Sequence, residues 1–137
     1  MKRSLAALLL IASVASPAAA KTVFYKYEGP AQTRTGEGGI KQVNRGVDVW
    51  VQGTPPKPFE IIGTIVDDRA TGDGNALTSK KVAQTVKQAG GDAILLNVQQ
   101  SQPIGIAAGG TGAYAWAAPY GQDTTTLTVI RYLPASR

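Results

Sequence analysis

Helical periodicity occurs in a single stretch of this chain, Ser79 to Ala89, and the segments around it place apolar residues at every second position instead. Ser79, Val82, Ala83, Val86 and Ala89 share one face of a helix there, with Lys80, Lys81, Gln84, Lys87 and Gln88 on the other. A lone amphipathic helix must bury its stripe against something, and period-two neighbours supply a sheet. The start of the helix is well marked. Thr78 as N-cap places Leu77 at N′ and Val82 at N4, the positions of a hydrophobic staple. Gly90 or Gly91 offers the left-handed residue that ends it. Lys80 and Lys81 in the first turn oppose the helix dipole.

Thr22 to Tyr27 alternates β-branched and aromatic residues and reads as the opening strand. Val47, Val49 and Val51 fall on one face of a second strand, and Asp48, Trp50 and Gln52 on the other, until Pro55, Pro56 and Pro58 stop it. Phe59 to Val66 is apolar on both sides, the pattern of a central strand, and Ala93 to Val98 has the same character. Thr124 to Leu133 is the last strand, and Tyr114 and Trp116 alternate with Ala113, Ala115 and Ala117. The glycine-bearing stretches at 28–46 and 103–112 read as mobile loops, the second alternatively as a hairpin arm, and Asp67 to Asn75 reads as a turn. The expected fold is α+β: a small mixed β-sheet of about five or six strands with one main helix on one face, formed by residues 21–137 as a single domain.

Residues 1–20 have the grammar of a cleavable signal peptide. Lys2 and Arg3 precede an apolar run from Leu5 to about Val14, and Ala18-Ala19-Ala20 provides a small-x-small site, so cleavage is expected after Ala20. That run is too short to span a bilayer, and no longer one follows. The expected product is exported to the periplasm or secreted. Its net charge falls from +5 to +3 once Lys2 and Arg3 are gone, and the remaining charges are dispersed, unlike a nucleic-acid footprint. The absence of cysteine excludes disulfides and a lipidated N-terminal cysteine, so stability must come from packing.

The segment Lys57-Pro58-Phe59-Glu60-Ile61-Ile62-Gly63-Thr64-Ile65, the helix, and Gly90-Gly91-Asp92-Ala93-Ile94-Leu95-Leu96 together resemble a pattern of small bacterial envelope proteins, the YbjQ-like domains and RcsF-type envelope-stress lipoproteins. The resemblance covers residues 57–98. It implies a strand, a helix and a strand in a small mixed sheet, with Gly63 admitting close approach of the helix and Asp92 bonding the turn. The chain departs from the sensor lipoproteins in having no cysteine, and it lacks the His and Cys that a heavy-metal-binding role would use.

Without histidine there is no ordinary base for a serine or cysteine nucleophile. Zinc or copper ligation by His or Cys is excluded for the same reason. Ser79 with Lys80 or Lys81 would place neighbouring helix residues on diverging faces. Asp67, Asp68 and Asp73 are the one carboxylate cluster, and with Asn75 they are oxygen donors for a cation, although the spacing misses the D-x-D-x-D-G loop. Gly109-Gly110-Thr111-Gly112 lacks the Lys-Ser or Lys-Thr of a phosphate loop. Trp50, Tyr114 and Trp116 are the expected binding residues, each opposite a small or core face in a period-two segment. No catalytic residue, metal or cofactor is expected. The expected function is that of a non-catalytic envelope protein acting by protein or envelope-polymer binding or by self-association. A small hydrolase using the carboxylate cluster and a purely structural envelope component are the alternatives.

Overall fold

The computed structural model describes residues 21–111 and 114–134, and for 104–111 and 114–120 it describes the backbone path. Residues 1–20, where a signal peptide is expected, lie outside the described residues. Nine elements follow one another: β1 (Lys21–Lys26), β2 (Thr33–Arg34), β3 (Gly38–Asn44), β4 (Val47–Thr54), β5 (Phe59–Ala70), a 3-10 turn (Ala76–Thr78), α1 (Lys80–Gln88), β6 (Ala93–Thr111) and β7 (Tyr114–Tyr132). The strands form one mixed seven-stranded sheet in the order β1-β5-β7-β6-β4-β3, with β2 also on β5. All pairs are antiparallel except β4 with β6. The fold is therefore α+β as expected, with more strands than five or six, because 28–46 is not one loop.

That stretch holds β2 and β3. Arg45 and Gly46 have φ of 50° and 83°, and they connect Asn44 to Val47 as a two-residue hairpin turn. β3 buries only Asn44, and Ile40 and Val43 are exposed, so no alternation of apolar residues announces it. The turn is tied to the helix start: Asn44 Nδ2 donates to Ser79 O at 2.9 Å and Arg45 Nη1 to Thr78 O at 2.9 Å.

The helix N-cap is Ser79, one residue past the expected Thr78, and its Oγ accepts from Val82 N at 3.2 Å. Asn75 caps the preceding 3-10 turn through Leu77 N at 2.9 Å, which moves Thr78 into that turn. At the other end Gly90 takes φ of 82°, the left-handed conformation that stops the helix. Val82, Ala83 and Val86 are buried against Val47, Val49, Ile65, Ile94, Leu127 and Val129.

Adjacent strand residues serve opposite faces. Ile94 and Val129 lie under the helix, whereas Ala93, Leu95 and Ile130 join Trp50 and Phe59 in a second cluster behind the sheet. β5 changes allegiance midway. A register shift between Ile61 and Gly63 leaves Ile61 on the second cluster and brings Ile62, Ile65 and Asp67 to the helix side. Gly63 is required by β1 and not by the helix: a Cβ there would stand 2.3 Å from Phe24 Cε2. Asp92 likewise serves β7, accepting from Tyr132 N at 2.9 Å, and does not bond its own turn.

Val86→Asp should cost about 3 kcal/mol or more, since it buries an unpaired charge, whereas Lys81→Glu, on the exposed first turn of the helix, should gain about 0.3–1 kcal/mol from the dipole. Urea denaturation followed by circular dichroism measures both. Equal midpoints for the two variants contradict the assignment of faces.

Candidate functional site

β4 directs Val47 and Val49 to the helix side and Asp48 and Trp50 to the other. Trp50 is 7% exposed, which corrects the expectation of an open aromatic there: its ring fills the second cluster with Phe59, Leu95 and Ile130. Its Nε1 donates to Tyr132 Oη at 3.1 Å, and that phenol donates to Asp48 Oδ2 at 2.7 Å. Lys41 Nζ stands 3.6 Å from the same oxygen, and Lys57 Nζ lies 3.7 Å from the Tyr132 ring centroid. Burial first, and then the bond to the Asp48 carboxylate, pushes the Tyr132 phenol up to about 12. A phenol held protonated so firmly is no acid or base near neutral pH. The network fastens the back of the sheet.

The carboxylate cluster does not converge. Asp67 and Asp68 are successive residues of β5, part of the strand where a turn was expected, and they face opposite sides. Asp67 is fully buried under the helix side. Its Oδ1 takes Arg69 Nε at 2.7 Å, and its Oδ2 takes Arg69 Nη2 at 3.0 Å and Thr22 Oγ1 at 2.7 Å. Both oxygens are thus committed. The hydrogen bond to Asp67 also raises Arg69 above its ordinary value, and Arg69 Nη1 reaches Asp73 through its backbone oxygen at 3.3 Å. Asp68 accepts from Thr124 Oγ1 at 2.6 Å. A hydrolase using these carboxylates would need them around one pocket, and the strand puts Asp67 and Asp68 on opposite faces.

The third feature is one that the sequence offered only as an alternative, a hairpin arm at 103–112. β6 and β7, each of 19 residues, pair from Ala93↔Ile130 out to Thr111↔Tyr114. β4 leaves β6 after Leu95, and β5 leaves β7 after Gln122, which is opposite Ala70. Beyond the Pro103↔Gly121 pair the two strands have only each other among the described residues. This two-stranded ribbon extends about 30 Å past the sheet at the usual rise per residue. It replaces the loop expected at 103–112; the hairpin-arm reading of that stretch holds for 103–111, and residue 112 lies outside the described residues. The signal that could have found it is electrostatic: from Ala93 to Gln122, thirty residues, there is no Asp, Glu, Lys or Arg.

Tyr114 and Trp116 lie on this ribbon, at register positions opposite Thr111 and Gly109. Trp50 pairs with Leu95, roughly 45 Å along β6 from Gly109. The three expected binding residues therefore do not form one surface. Compared with family models, with curated proteins and with solved structures, the chain finds no match.

Two outcomes test these networks. The raised Tyr132 value means that the protonated phenol contributes its full stability below about pH 10, where the unfolded chain also keeps its proton. That contribution falls away as pH climbs toward about 12. An ultraviolet titration should show a phenol ionising near there, and Tyr132→Phe should abolish it while costing about 1–3 kcal/mol through the Trp50 N–H left without its acceptor. Asp67→Ala, by stranding Arg69, should cost about 3–5 kcal/mol, against about 1 kcal/mol for Asp68→Ala, measured by denaturant titration.

Proposed function

We propose that the chain is a non-catalytic, exported envelope protein of the periplasmic type, whose working part is the β6–β7 ribbon. The observation that carries this reading is a 30-residue charge-free run whose distal half forms two strands standing clear of the sheet, with unshared backbone edges among the described residues. Such edges bind by strand addition: main-chain hydrogen bonds give affinity, and alternate side chains give selectivity. Tyr114 and Trp116 belong to the same strand and fit this role as aromatic anchors. An enzymatic role finds less support, because the carboxylates diverge and Tyr132 is locked as a donor.

A photocrosslinking residue placed at Ala115 in the exported protein should yield a discrete covalent adduct in intact cells, and the same residue at Gln84, on the exposed side of α1, should not. Adducts from position 84 alone, or none from position 115, would overturn the assignment of function to the ribbon.

A further inference from the structure

We infer that the ribbon pairs edge to edge with a second copy of this chain, through the outer edge of β6 from Gly105 to Thr111. The inference rests on the proposed role of the ribbon and names its occupant. Sheet edges in soluble proteins are ordinarily blunted by lysine, by bulges or by short strands. The other edges of this sheet follow that practice. β1 carries Lys21 and Lys26, and β3 carries Lys41 at a register shift between Ile40 and Lys41. The ribbon has no charge on either strand. β6 has register shifts at Leu96/Val98 and at Pro103/Gly105, but from Gly105 to Thr111 its outer edge has neither shift nor charge, and that length is left open for pairing.

The choice of a second copy follows from charge and from strand count. The exported chain is net basic, +3 after loss of Lys2 and Arg3, yet residues 93–122 offer nothing to an acidic or a basic partner. An uncharged extended segment is what this edge accommodates, and the chain itself supplies one. Two ribbons meeting about a two-fold axis bring no like charges together, and each edge is its own complement. A two-stranded ribbon is marginal alone in water, whereas three or more strands hold together. Pairing converts two marginal ribbons into one four-stranded sheet, β7-β6 of one copy continuing into β6-β7 of the other.

Proline selects the edge. Pro lacks the N–H that a ladder needs. Pro119 lies in β7 within the ribbon, opposite Ile106, while β6 runs from Gly105 to Thr111 without a proline, the register shift after Pro103 marking where that segment begins. An antiparallel match of that seven-residue segment with itself about a two-fold axis centres on Ala108, which then faces Ala108 of the second copy.

The chain contains no cysteine, so a single introduced thiol reports the contact cleanly. Sedimentation equilibrium of the purified, processed chain should show a concentration-dependent dimer. Ile106→Lys combined with Ala108→Lys should weaken association at least about tenfold by placing like charges across the pairing segment, with an unchanged melting temperature for the sheet. Ala108→Cys should form a disulfide-linked dimer under mild oxidation, faster than Lys80→Cys on the exposed helix turn. A monomer at every concentration, a dimer indifferent to the lysines, or thiol linkage no faster at 108 than at 80 would each overturn the inference. If the purified chain is monomeric while position 115 still crosslinks to a different envelope protein, self-pairing fails and the ribbon's binding role stands.

Discussion

Everything in this molecule hangs on the antiparallel ladder between β5 and β7. β7 joins β5 on one side and β6 on the other, so β1 and β2 reach the rest of the sheet only through β5, and β4 and β3 only through β6. With no disulfide in reach, this register must be held by side chains. A slip of one residue would exchange the two faces of every strand. The shift at Ile61 and Gly63 makes the requirement sharper, because it lets a single strand feed both clusters.

Two polar networks tie the strands of that ladder to others, one on each face. Under the helix side, Asp67 and Arg69 close a buried ion pair on Thr22, tying β5 to the edge strand β1. Behind the sheet, Tyr132 at the end of β7 joins Trp50 and Asp48 of β4 across a gap of more than eighty residues in sequence. Neither arrangement leaves a reactive group free. Their geometry is specific to one register, and that is a structural role distinct from chemistry.

The helix and the strand beneath it were legible because burial imposes periodicity on sequence: Val82, Val86, Val47 and Val49 all lie where their spacing puts them, whereas Ile65 is parted from Phe59 and Ile61 by the shift in β5. β3 was not legible, since a strand exposed on both faces has no reason to alternate. The polar end of β5 read as a turn because Asp67 and Arg69 are buried only by virtue of each other, a pairing that spacing does not announce. The N-cap moved by one residue because Thr78 and Ser79 are chemically alike and Asn75 had already claimed the turn before them. Of the binding residues, Tyr114 and Trp116 fall on the ribbon, but Trp50 looked open only while Tyr132, its distant partner, was out of view. The ribbon was only half legible: glycine and alanine allow a loop or a hairpin arm, and the choice is made only when β7 is laid beside β6.

The order of strands also sets when the molecule can fold. The central ladder needs β7, the last strand to be made, and β4 waits for β6 across the whole of β5 and α1. A nascent chain lacking its C-terminal quarter can form the β3–β4 hairpin and the β1–β5 pair, but it lacks β7, the strand that joins β5 to β6. Contacts so distant in sequence form slowly, because the loops they close cost entropy before any pairing repays it. For the export proposed above, that delay is useful: a chain that cannot yet close its central ladder stays extended enough to be threaded.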